Sequence, residues 1–99
     1  MPNRKYLKGY GFERQLVNEW LGKGYYAKRM YGSKPFDFIV MGNGVSYMCE
    51  AKYWAKPPTE KYLRKKYQWL KEMAERYKCQ AIVFSKQGRG KDNYIKYWL

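Results

Sequence analysis

No histidine occurs in the 99 residues, which removes the side chain most used as a general base at neutral pH and as a zinc ligand. Ser-His-Asp and Cys-His nucleophile systems are excluded with it. Cysteine is scarce: Cys49 and Cys79 are too far apart and too few for a disulfide framework or a zinc site, and both read as small buried apolar residues. Acids are scarce too, 8 Asp and Glu against 21 Lys and Arg, for a net charge of +13. Such a field on a small body attracts phosphate polymers, so nucleic acid is the expected partner, ahead of an acidic membrane surface. No apolar run approaches the ~20 residues that span a bilayer, and the N-terminal stretch lacks a signal-peptide core. A cytoplasmic, intracellular protein without a membrane partner is expected.

A chain of this length buries roughly 65% of its extended surface and does not divide that between two cores. One domain over 1–99 is expected, with 1–9 as a basic arm. Apolar residues at Phe12, Leu16, Val17, Trp20 and Leu21 have helical spacing over 10–21, and Gly22 and Gly24 supply the stop. Segments 25–31, 36–41 and 45–54 read as strands, and Asn43-Gly44 between the last two is a strong type I′ hairpin signal. Pro57 and Pro58 break the chain, and Thr59 caps a second helix running to about Lys78, with Leu63, Tyr67, Leu70, Ala74 and Tyr77 as its buried stripe. Residues 80–85 and 94–99 complete the strands. The order α-β-β-β-α-β-β predicts an α/β fold, a central mixed five-stranded sheet flanked by helices.

Two anomalies stand out. At 100° per residue from Phe12, Leu21 reaches about 180° and Glu13 sits at about 100°, in the middle of the apolar arc. A buried carboxylate costs several kcal/mol unless it meets a cation, a metal or a hydrogen-bonding group, though a helix-start Glu favoured by the macrodipole is an equal alternative. The second anomaly comes from the hairpin: a two-residue Asn43-Gly44 turn sets Asp37 opposite Glu50. Opposed side chains lie ~4.5–5.5 Å apart at Cβ, and like charges there call for a positive occupant such as a divalent cation. Lys52 points to the same face as Glu50, beside the proposed metal. Oxygen ligands, an adjacent cation and no need for histidine are what metal-dependent phosphodiester hydrolysis requires.

With Glu13, Asp37, Glu50 and Lys52 in place, the sequence resembles the archaeal-type Holliday junction resolvases of the PD-(D/E)XK nuclease superfamily. The resemblance runs over roughly residues 10–85, on Phe12-Glu13-Arg14-Gln15-Leu16-Val17, Gly24, Arg29, Ser33, Pro35-Phe36-Asp37-Phe38-Ile39-Val40 and Cys49-Glu50-Ala51-Lys52. Here Phe36 separates Pro35 from Asp37, where the motif has Pro directly before Asp. The resemblance implies a restriction-endonuclease-like core with Asp37, Glu50 and Glu13 at the metal, Lys52 as catalytic lysine, Arg29 as a basic residue beside the site and Ser33 as a loop hydroxyl near the phosphate. It further implies Mg²⁺, with Mn²⁺ as a substitute, no small-molecule cofactor, a homodimer, and branched DNA, a four-way junction, as substrate, in a cell's or a virus's DNA metabolism. A nicking or flap-directed nuclease of the same superfamily and a non-catalytic basic DNA-binding module are the alternatives.

Remaining features read more modestly. Trp20, Tyr67 and Tyr77 have core spacing, whereas Trp54 and Trp98 are candidates for exposure or a dimer contact. Arg14, Lys34, Lys65, Arg89 and Lys91 join Arg29 as candidate DNA contacts, and Gly88-Arg89-Gly90-Lys91 reads by default as a flexible basic turn.

Overall fold

The computed structural model describes residues 4–99, with side chains from Gly11 onward. Helix α1 covers Arg4–Gly22, starting earlier than expected and taking in part of the segment read as an arm. It ends because Gly24 adopts φ 89. The Gly24 and Tyr25 N–H groups then turn back to the carbonyls of Leu21 and Trp20, at 3.0 and 3.2 Å, the paired bonds of a Schellman stop. Strand β1 (Tyr26–Arg29), a 3₁₀ turn (Tyr31–Ser33), β2 (Phe38–Gly42) and β3 (Val45–Trp54) follow. Asn43 and Gly44 have φ 50 and 76, the positive values of a type I′ turn, and Gly42 pairs with Val45. The turn thereby fixes the register that reaches Phe38 opposite Cys49.

After β3, helices α2 (Glu60–Lys66) and α3 (Gln68–Arg76) cross over to β4 (Gln80–Gln87), which runs parallel to β3, and β5 (Tyr94–Trp98) returns antiparallel. The sheet has the order β1-β2-β3-β4-β5, mixed and five-stranded as expected. The Thr59 hydroxyl caps α2 by accepting the Tyr62 N–H at 3.1 Å. The single long helix expected over 59–78 is broken, because Tyr67 leaves helical geometry at φ −104, ψ 22. Its buried stripe stops at Ala74, since Tyr77 is 63% exposed; Lys78, at φ 58, already belongs to the turn that ends α3.

Alternation along the strands gives the sheet two apolar faces. Phe12, Leu16, Val17 and Trp20 of α1 pack with Ala27, Phe38, Val40, Cys49, Ile82 and Phe84. Leu63, Tyr67, Leu70 and Ala74 of α2, α3 and the kink pack with Phe36, Met48, Ala81 and Val83 on the other face. Leu21, at the edge of the predicted apolar arc of α1, is exposed. Burying both faces of a sheet between helices is the stable solution for this strand–helix pattern. No helix among the described residues is long and apolar enough to cross a membrane.

Candidate active site

The end of β1, the 3₁₀ turn and the start of β2 meet α1 and β3 at one end of the sheet, and there Glu13, Arg29, Ser33, Asp37 and Glu50 come together. Glu13 is 8% exposed. Its Oε2 accepts from Arg29 Nε at 3.1 Å and lies 3.1 Å from Arg29 Nη2, while the Ser33 hydroxyl is 3.5 Å from Oε1. The cation that a buried carboxylate demands is therefore supplied by β1.

Asp37 stands one step beyond the β2–β3 ladder. Its N–H donates to the Cys49 carbonyl at 3.1 Å, and its Oδ2 accepts the Ala51 N–H at 2.8 Å. Asp37 thus sits just past Phe38, the last residue of β2, counted from the turn, that pairs with β3, and its carboxyl reaches Glu50, the neighbour the hairpin numbering predicts. The Asp37 carboxyl lies within hydrogen-bonding reach of both Glu13 and Glu50. Burial, then the charge of Asp37, raises Glu13 to about 7 despite the opposing pull of Arg29. Burial, then the hydrogen bond and charge of Asp37, pushes Glu50 up to about 9. Three carboxyls are thus strung through Asp37, with too little positive charge among them to hold all three ionised.

Among the described residues no group of three His, Cys, Asp or Glu side chains is disposed to hold a metal. Of the three expected metal ligands, Glu13 turns its oxygens to Arg29 and Ser33, while Asp37 and Glu50 enter no ion pair among the described residues. That pair suits a hard divalent cation. Mg²⁺ is ordinarily held by one or two carboxylates, with water and substrate phosphate completing its shell, and a positive charge between the two would offset the burial, and with it the Asp37 charge, that keep Glu50 toward its protonated form.

Lys52, on the Glu50 face of β3 by alternation, is exposed, its Nζ 5.8 Å from the Trp54 ring centroid. It pairs with no carboxylate among the described residues. Tyr67, which the sequence placed in the core, is buried at the kink between α2 and α3. Its phenol is held well above its ordinary range by burial and then by the charges of Glu50 and Asp37. It therefore lies close enough to the acid pair to feel its charge, at a helix break that has no Gly or Pro to announce it. Cys49 is fully buried, and its thiol is pushed far up by burial and the same acids, which leaves it inert as a nucleophile.

The predicted basic contacts separate into groups. Arg29 is drawn into the acid cluster, Lys34 is exposed beside Ser33, and Lys65 is exposed on α2. Arg14 and Lys91 line one groove beside α1, and Arg89 lines an adjoining one with Lys86, Gly88 and Tyr53. The Gly88–Lys91 loop, expected to be flexible, is pinned by side chains. Tyr53 Oη donates to the Gly88 carbonyl at 2.9 Å, Gln15 Nε2 to that of Lys91 at 2.6 Å, and Asn93 Nδ2 to those of Gln87 and, at 3.2 Å, Arg89.

Replacing Glu13 separates its roles. Arg29 keeps 33% of its side chain exposed, so water can solvate the guanidinium once its partner is neutral, and Glu13→Gln retains an acceptor oxygen for it. The expected result is a thermal midpoint at about pH 8 no lower than wild type, with any DNA cleavage reduced at least ~10-fold, the scale of a lost acid–base or positioning group. Calorimetry beside a cleavage assay checks it. A lowered midpoint with unchanged cutting would make Glu13 purely a structural ion-pair partner.

Neither the protein-family models nor the curated proteins contain a match to this sequence. Among solved structures the chain is similar to Archaeoglobus fulgidus Hjc, a Holliday junction resolvase from an archaeal hyperthermophile, with a TM-score of 0.71 and 22% identity over 92% of this chain and 72% of that one. The mixed sheet, its flanking helices and the order of its elements are therefore those of an archaeal resolvase, and that is the fold of this chain.

Proposed function

We propose that the protein is a divalent-metal-dependent endodeoxyribonuclease that cuts branched DNA, with the four-way junction as its substrate. The observation that carries this reading is the convergence of the Asp37 and Glu50 carboxyls at a sheet end, with the exposed ammonium of Lys52 on the Glu50 face of β3. The net charge of +13 and the resolvase fold support it.

A divalent cation held by Asp37 and Glu50 would supply Lewis-acid polarisation of a phosphoryl oxygen. The chain's own groups do the rest. Lys52 offers its Nζ protons to a phosphate oxygen or an incoming water. Glu13 holds Arg29 and Ser33 at the edge of the site, where a guanidinium and a hydroxyl are suited to grip the neighbouring phosphate. The phenol of Tyr67, kept protonated, is a hydrogen-bond donor toward the acid pair. The grooves carrying Arg14, Arg89 and Lys91, together with Lys34 and Lys65, contact backbone phosphates, so binding weakens steeply with salt.

Incubation of the protein with labelled four-way junction, flap, nicked duplex, intact duplex and single strand, with and without Mg²⁺ or Mn²⁺, tests the reading. Cleavage of the junction that needs the metal is expected. Preferential cutting of flap or nicked DNA moves the substrate, and salt-dependent binding without cleavage reduces the protein to a DNA-binding module.

Paired incisions across a two-fold junction are most simply made by two-fold-related copies of one site, so the protein acts as a homodimer. On the edge strand β5, Trp98 is 44% exposed and forms the apolar contact. Trp54, the other residue expected there, is half-buried, with its indole N–H inside. Sedimentation at micromolar concentration is expected to give twice 12.0 kDa, and Trp98→Lys to give the monomer. A wild-type monomer that still makes paired cuts would overturn this arrangement.

A further inference from the structure

Tyr31 is 99% exposed, which is unusual company for a chain whose other aromatic residues are so often packed together. Trp20 meets Tyr25 and Tyr47, Phe12 meets Tyr94, and Trp54 meets Tyr62. Among the described residues no ring lies against Tyr31. Its base is nonetheless held. Met30 donates its N–H to the Asp37 carbonyl at 2.9 Å, Ser33 N–H returns to the Met30 carbonyl at 3.0 Å, and Lys34 N–H to that of Tyr31 at 3.4 Å. Ser33, two residues on, directs its hydroxyl to Glu13 at 3.5 Å. Consecutive Cα atoms are ~3.8 Å apart, so the ring springs from the chain within ~8 Å of Ser33. Lys28 and Lys34, on either side of the turn, are exposed.

We infer that Tyr31 is a stacking residue for an unstacked nucleobase, the kind a branch point presents and a continuous duplex does not. A flat apolar ring held on a tethered turn, flanked by cations and next to a phosphate-directed site, has the chemistry of a base-stacking platform. The inference rests on the nuclease reading only for the choice of DNA as ligand, and it assigns to Tyr31 the preference for branched over continuous strands. A stack of this kind needs the ring and not the phenol oxygen.

The test is binding without catalysis. Fluorescence anisotropy in EDTA compares wild type, Tyr31→Ala and Tyr31→Phe on a four-way junction and on duplex of equal length. Photo-crosslinking from 5-iodouracil at the branch point, mapped by peptide mass spectrometry, accompanies it. Tyr31→Ala is expected to weaken junction binding ~10-fold or more, the effect of one lost base–aromatic stack, with duplex affinity changed less than ~2-fold. Tyr31→Phe should match wild type, and the crosslink should fall on Tyr31. Equal losses on both DNAs, no loss on the junction, or loss of self-association with DNA binding intact would each overturn the inference, the last in favour of a protein contact. Because no cutting is measured, a protein that fails to cleave can still show the preference, and a competent nuclease indifferent to Tyr31→Ala refutes this inference alone.

Discussion

Asp37→Asn and Glu50→Gln are each expected to abolish DNA cutting, by at least ~10³-fold, while junction binding stays equal or becomes tighter. The two carboxyls lie within hydrogen-bonding reach of one another, and the Ala51 N–H holds one oxygen of Asp37 in place at 2.8 Å. Loss of either charge leaves a single anionic ligand and a neutral amide oxygen in place of the second, so the site holds a divalent cation weakly and metal-assisted phosphodiester chemistry loses its electrophile. Binding moves the other way because a negative charge facing the DNA backbone is removed. Both substitutions keep the volume of the side chain, and asparagine at 37 still presents an acceptor to Ala51, so the variants should remain folded. Lys52→Ala is expected to be equally dead without unfolding, since the exposed ammonium anchors no carboxylate. A single-turnover assay with each variant decides the matter. Wild-type cutting by Asp37→Asn or Glu50→Gln would remove the acid pair from the mechanism, and wild-type cutting by Lys52→Ala would leave the Glu-x-Lys spacing a coincidence.

The metal-free protein is expected to lose stability as pH rises from about 5.5 to about 8.5, and Mg²⁺ to restore it mainly at the upper end. Glu13 and Glu50 are raised in the folded state from 4.5 to about 7 and about 9. A carboxyl whose folded value lies above its unfolded one binds more protons folded than unfolded. Its contribution is complete below the unfolded value and is lost as pH climbs through the folded one. The window is unusually clean, because the chain has no histidine and little besides these carboxyls and the N-terminal amine titrates there. The acids titrate as a coupled cluster, so a broad decline is expected, with no separate steps. A midpoint at least ~5 °C higher at the acidic end corresponds to about 1 kcal/mol in a domain of this size. Thermal melts with EDTA or with millimolar Mg²⁺ measure both parts, and Glu50→Gln should flatten the slope. A midpoint that rises with pH, or one on which Mg²⁺ acts equally at both ends, would show that the acids do not repel one another as described.

What the sequence could yield depended on whether a local rule fixed the outcome. Asn43-Gly44 tolerates the positive φ that a two-residue hairpin needs, so a register that ends with Phe38 opposite Cys49, and brings Asp37 near Glu50, could be counted off from the turn. Helical spacing alone put Glu13 inside. The break at Tyr67 has no local cause of that kind. A helix-forming stretch bends there to seat Leu63, Tyr67 and Leu70 on the sheet, and with the bend goes the phenol that feels the charge of the acid pair. Tyr77 continues the apolar spacing, but α3 ends just before it. The partner of Glu13 lay in a different class again: that Arg29 occupies its oxygens is a matter of side-chain reach across two elements, which no local spacing rule registers. The tethering of Gly88–Lys91 likewise depends on Gln15, Tyr53 and Asn93, none of which a glycine-rich loop announces.

That tether makes α1 a ruler. Gln15, which donates to the Lys91 carbonyl, is two residues along the helix from Glu13, which holds Arg29 and Ser33 at the acid cluster. The basic groove and the acid cluster are therefore fastened within one turn of a single rod, ~3 Å apart along its axis and on roughly opposite sides of it, so helix geometry sets their separation before any ligand arrives.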